Sequence, residues 1–238
     1  MMSEDTPKDA TATEDTAQPQ NSADAAAGQQ AEAGPQTMDD AFASLSPDRQ
    51  NSFRLLRIVG AHLLAWLAVM GLFAAADSWR MLTDISLASL LAIAAGALAG
   101  VTTTTLIHEW GHFFGAQRSG GQFTIPRKVG VFVYDWDFKH NSVDQFMTMS
   151  KAGTIGGAVS LVLIWLLLPP ETLARAAVFA GGVAGFAFAA RIEWPVLRAV
   201  RDGADPLREL SRINEYVLRQ SVIVATLAGL AALWVVAP

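Results

Sequence analysis

Five apolar stretches dominate this chain, running over Ile58–Ala76, Ile85–Ile107, Ala152–Leu168, Leu173–Ala190 and Ser221–Ala237. At a helical rise of about 1.5 Å per residue, roughly 20 apolar residues cross the hydrocarbon core of a bilayer, and each stretch comes close to that length. In lipid every backbone polar group must find its partner inside the segment, so an apolar run of this length has to be helical. The fourth stretch carries Arg175 near its start and Gly181, Gly182 and Gly185 within it. The fold expected is an all-α integral membrane protein with about five transmembrane helices.

Charge divides the chain. Residues 1–50 hold ten acids and two bases for a net charge of −8, which leaves +3 for the remaining 188. The acidic part has few large apolar residues, so it cannot bury enough surface to offset its chain entropy, and residues 1–50 are expected to be a disordered cytoplasmic tail. It lacks the basic start and apolar run of a secretory leader. Domain organisation then follows as this tail, a first transmembrane helix with a short outer loop over 51–84, a core over 85–220, and a C-terminal transmembrane helix over 221–238.

Lysine and arginine set the expected orientation. With the N-terminus in the cytoplasm, 15 of the 17 fall on that side, leaving only Arg80 and Arg175 opposite. The bias predicts N-terminus in and C-terminus out. Small residues four apart, Gly96/Gly100, Gly111/Gly115 and Gly181/Gly185, read as seams where helix backbones approach closely. The chain has no cysteine, so a transition-metal site must be built from histidine and carboxylate, and only four histidines are present. That number is too small for a histidine-rich di-iron oxygenase.

Two of the four lie in His108-Glu109-Trp110-Gly111-His112, directly after the second apolar stretch. Histidines four apart on a helix share a face, so both imidazoles reach one metal ion. Glu109 points to a neighbouring direction, where it can take a proton from a metal-bound water. Ionisable side chains at membrane depth are rare and usually functional. His62, within the first span, is expected to be hydrogen-bonded packing, and His140 to be solvated.

Three segments then resemble the site-2 protease family of intramembrane zinc metalloproteases. HEWGHFFGAQRSGG at 108–121 resembles the family's H-E-x-G-H motif, and SKAGTIGGAVSLVLI at 150–164 resembles the stretch opening its next core helix. EWPVLRAVRDG at 193–203 lies where the family has N-x-x-P followed by L-D-G. Here Glu193 stands in place of the family's asparagine, Arg201 in place of its leucine, and Thr154 and Gly157 in place of the proline and asparagine of the middle segment. The resemblance implies a Zn²⁺ site with His108, His112 and Asp202 as ligands and Glu109 as the catalytic base. Glu193 is the rival third ligand and Asp205 a further one.

Between the first two segments, Phe123, Ile125, Val129, Val131 and Val133 alternate with polar or small residues, which predicts a short hairpin or edge strand. The resemblance implies a membrane-associated β element here, able to pair with an extended substrate segment. It further implies cleavage of the transmembrane segment of a membrane-tethered regulator, such as an anti-sigma factor, in regulated intramembrane proteolysis. A bacterial inner membrane is the expected location, with the site toward the cytoplasm. The partners expected are the lipid bilayer and a transmembrane protein, with no nucleic acid. Two alternatives remain: a membrane metallopeptidase with Glu193 as third ligand, and a non-catalytic membrane scaffold of the same fold.

Overall fold

A computed structural model describes residues 37–83 and 85–238, with the side chains of residues 38–40 left aside. Residues 1–36 of the expected disordered tail lie outside the described residues. The remainder of that segment contains a short helix, α1 (Met38–Ala43), and the start of α2 (Pro47–Thr83). The helical part of the chain therefore begins before the boundary expected at residue 50.

Five helices are long and apolar enough to cross a membrane: α2, α3 (Ser86–Arg118), α4 (Val143–Leu167), α5 (Leu173–Arg201) and α7 (Glu215–Val236). A two-stranded antiparallel sheet, β1 (Phe123–Thr124) with β2 (Asp135–Trp136), lies between α3 and α4, pairing Phe123 with Trp136 and Thr124 with Asp135. A short α6 (Pro206–Leu210) precedes α7. Most large apolar side chains on α2 and α7 face outward, among them Leu63, Leu64, Val222 and Trp234. In water such a surface would aggregate, whereas in lipid it is the expected exterior.

The helices pack through small residues because lipid supplies no hydrophobic drive between them. On α3, Gly96 and Gly100 lie against the backbone of α5 at Ala174 and Val178, and a Cβ on Gly100 would overlap the Val178 carbonyl. Gly181 and Gly182 return the contact from α5 toward Ala97 and Thr104. Glycines in the fourth apolar stretch thus mark its central place, and α5 is the most buried of the five helices. Farther along α3, Gly111 and Gly115 bring it onto Ala152 and Met149 of α4.

Local signals fix the turn that carries α3 into the sheet. Gly120 adopts a left-handed φ of 65°, and Gly121 N–H bonds the Ala116 carbonyl at 3.1 Å, which ends the helix in a glycine-terminated cap. Ser142 and Gln145 form a reciprocal capping box at the start of α4. Gln145 Nε2 also donates to the Gly120 carbonyl at 3.1 Å, so the end of α3 and the start of α4 are tied to each other.

Candidate metal centre

The two motif histidines lie 22 and 26 residues into α3, about 33 and 39 Å from its start. His108 is 4% exposed among α3, α4 and α5. Its Nε2 lies 3.0 Å from that of His112, and the two rings are nearly perpendicular with centroids 4.5 Å apart. The ligand atoms of His108, Glu109 and His112 all fall within 4.8 Å of one another.

A second carboxylate enters from α5. Glu193 Oε1 lies 2.7 Å from His108 Nε2 and 3.0 Å from His112 Nε2. Asp202 is elsewhere. It is the C-cap of α5, two-thirds exposed, with its carboxylate 3.5 Å from Arg201 Nε. Asp205 caps α6 by accepting from Arg208 N–H at 2.8 Å. Of the three carboxylates weighed as third ligand, the structure brings Glu193 to the imidazole pair and leaves Asp202 and Asp205 in local turns. The reason is position along α5. Glu193 lies within α5 before Pro195 and faces α3, whereas Asp202 falls after the helix has ended.

With Glu193 ionised, protons alone do not satisfy this arrangement. If both Nε2 atoms donate to Glu193 Oε1, they confront each other as two donors at 3.0 Å. If one is an acceptor, it faces the carboxylate oxygen lone pair to lone pair. Glu193 Oε2 and His108 Nδ1 are also buried without a hydrogen-bond partner among the described residues. Buried polar groups are ordinarily paired, and each exception calls for an explanation. Two imidazole nitrogens and a carboxylate oxygen converging in a buried space form the donor set that a divalent transition metal prefers, and a cation there would satisfy all three at once.

The surroundings orient those ligands. His112 Nδ1 donates to the Met149 carbonyl at 3.1 Å, which fixes the tautomer and leaves Nε2 with its lone pair toward Glu193 and His108. Gly153 and Gly157 of α4, one turn apart, leave room for the two rings, Gly153 beside His112 and Gly157 beside His108 Nδ1. One turn below His108, Thr104 bonds Ser160, whose hydroxyl donates to the Gly157 carbonyl at 2.6 Å. The remaining histidines serve structure. His62 Nε2 donates to the Gly130 carbonyl at 2.8 Å while its Nδ1 accepts from Trp110 Nε1–H. His140 is half-exposed and bonds Asp137 at 2.7 Å within the loop.

The segment joining β1 to β2 covers the site. Ile125 and Val133 are buried against Phe113 and Ile58, but Val129, Val131 and Phe132 are exposed at the loop tip. The expected alternation therefore holds only at the ends nearest the strands. Tyr134, absent from the sequence-based set, joins Glu109, His112 and Glu193 in lining a cavity of about 210 Å³. Burial raises its pKa above the ordinary tyrosine value, and the carboxylates of Glu109 and Glu193 push the same way. The phenol therefore remains a neutral O–H donor. Its one sequence signal is its place beside Val133 in the alternating segment, which turns it to the opposite face.

No protein-family model, curated protein or solved structure matches this chain.

Proposed function

We propose that this membrane protein is a zinc-dependent endopeptidase that cuts the transmembrane segment of another membrane protein. The observation that carries the reading is the convergence of His108, His112 and Glu193 inside the helix bundle, with the Glu109 carboxylate beside them. The order of the three sequence segments resembles that of site-2 proteases, with Glu193 taking the ligand position that the family gives to aspartate. The charge bias favours a site toward the cytoplasm, in keeping with a bacterial inner membrane.

His108 Nε2, His112 Nε2 and Glu193 would hold the metal. A bound zinc supplies Lewis acidity and a water acidic enough to deprotonate near neutral pH. Glu109 would be the base that takes a proton from the water attacking the carbonyl carbon of the substrate peptide. The C–N bond then breaks and the same proton passes to the leaving amine nitrogen. Tyr134 O–H donates toward the carbonyl oxygen on which negative charge gathers. A helix hides its carbonyls in internal hydrogen bonds, so the substrate must unwind locally before attack.

Comparative membrane proteomics of cells carrying wild-type protein or Glu109→Gln tests the reading. At least one single-span protein should accumulate uncut in the variant. If no membrane protein changes its cleavage state while Glu109→Gln is present at normal levels, the protease assignment is wrong and the scaffold reading takes its place.

A further inference from the structure

The cavity beside the histidines has a shape and chemistry that the metal site alone does not require. Its volume, about 210 Å³, lies below the roughly 300 Å³ at which pockets for whole small molecules begin. A helix with its side chains is about 10–12 Å across, so an intact substrate helix does not fit. One large side chain does.

Its walls come from four separate elements: Tyr134 and Trp136 at the sheet, Phe146 on α4, Val196 on α5 and Leu210 on α6. Phe146 and Val196 are 4% and 7% exposed and pack in one apolar cluster, so this wall is fixed by the fold. Glu109, His112, Ser150 and Glu193 supply the polar part of the lining. The space is therefore lined mainly by apolar side chains, with two carboxylates among its polar groups. An acidic side chain would enter against two carboxylates, and a small one would leave the apolar wall uncovered.

We propose that this cavity is a specificity pocket, receiving one bulky apolar side chain, of leucine or phenylalanine type, from the residue adjoining the scissile peptide bond. The inference builds on the metallopeptidase reading and names the substrate class for that site. It also accounts for the way a membrane segment is held once unwound. One residue projects its side chain into the pocket while the neighbouring carbonyl comes to the histidines.

Amino-acid hydroxamates separate the two claims, because the hydroxamate group seeks the metal and the side chain seeks the pocket. Glycine, leucine, phenylalanine and aspartate hydroxamates would be titrated by calorimetry into the purified, zinc-loaded full chain in detergent. The leucine and phenylalanine compounds should bind roughly 10–100-fold more tightly than the glycine one, as burial of a large apolar side chain predicts, and the aspartate compound most weakly. Val196→Phe, which fills the pocket, should bring the leucine-to-glycine ratio close to one, and Phe146→Ala should shift preference toward the larger ring. Equal affinity of all four compounds for the wild-type protein overturns the pocket while leaving the metal site standing. Binding that persists unchanged after zinc is chelated, or no binding of any compound, overturns the metallopeptidase reading and the pocket with it.

Discussion

A Cβ on Gly153 would overlap the imidazole ring of His112, which fills the space beside that bare stretch of α4 backbone. The ring is also held by its hydrogen bond to the Met149 carbonyl, one turn earlier on the same helix. Position 153 therefore belongs to the candidate metal centre although it carries no side chain. Gly153→Ala should displace the ring and weaken zinc affinity by roughly 10–100-fold, the range found when groups that orient a ligand are lost. Competition with a chromophoric chelator measures this, and an unchanged far-ultraviolet circular dichroism spectrum would show that the helices persist. Full zinc affinity in a folded variant would disprove the orienting role.

The third ligand yields a sharper contrast. Glu193→Ala removes the carboxylate that meets both Nε2 atoms, and zinc retention should fall by more than about 100-fold. Asp202→Ala removes an exposed side chain at the end of α5 and should leave zinc content unchanged. Elemental analysis of the two purified variants decides between the carboxylates. Zinc lost from Asp202→Ala and kept by Glu193→Ala would reverse the assignment.

The contrast also marks how far the residues alone lead. The five apolar helices were legible because lipid demands length and apolarity in a continuous run. The pair His108 and His112 was legible because helical spacing places residues four apart on one face. Choosing Glu193 over Asp202 requires knowing which part of α5 meets α3, and that depends on how Gly100 and Gly181 let those helices approach. Tyr134 could not be read for a related reason. It reaches the site from a loop whose path is set by Ile125 and Val133 burying against α2 and α3, a long-range contact with no periodic trace.

Tyr134→Phe removes the neutral O–H while keeping the ring that lines the cavity with Glu109 and Glu193. With a cleavable single-span substrate, kcat should fall by about 100-fold with little change in KM, as expected for a donor that acts on the transition state more than on the ground state. Because burial holds the phenol pKa above its ordinary value, ionisation of Tyr134 should contribute no alkaline limb below the ordinary tyrosine range. An unchanged kcat would remove Tyr134 from the chemistry.

Acid should loosen the loop between β2 and α4. The hydrogen bond from His140 holds the Asp137 carboxyl below the ordinary aspartate range, against the opposing effect of desolvation and aided by the Lys139 and His140 backbone N–H groups. A group whose folded pKa is depressed stabilises the fold fully above its unfolded value and loses that contribution as pH falls through the folded one. Protection of the amides of Lys139 and His140 from hydrogen exchange should therefore be constant above about pH 5 and decline below pH 4. In Asp137→Asn the decline should vanish and the protection should be low throughout. An undiminished plateau below pH 3 in the wild type would contradict the account.

His62 joins the motif helix to the cover of the site. Its ring takes the N–H of Trp110, the middle residue of the histidine motif, on one nitrogen and gives its own N–H to Gly130 on the other, so a single neutral tautomer serves both. Nearby, the Arg57 guanidinium donates to the Arg127 carbonyl, a second tie between α2 and the same loop. His62→Phe preserves bulk but leaves the indole N–H without its acceptor, which should cost about 1–3 kcal/mol. The loss should be local as well as global: exchange of amides over residues 127–133 should rise more than that of the helices, because the loop loses a hydrogen bond that ties it to α2. His62→Gln, which can donate with its amide nitrogen and accept with its oxygen, should recover part of both effects. Denaturant unfolding in detergent and hydrogen exchange measure the two quantities on the same samples. If His62→Phe lowers stability without a selective rise in loop exchange, His62 is a packing residue of α2 and the cover over the metal centre is held by other contacts.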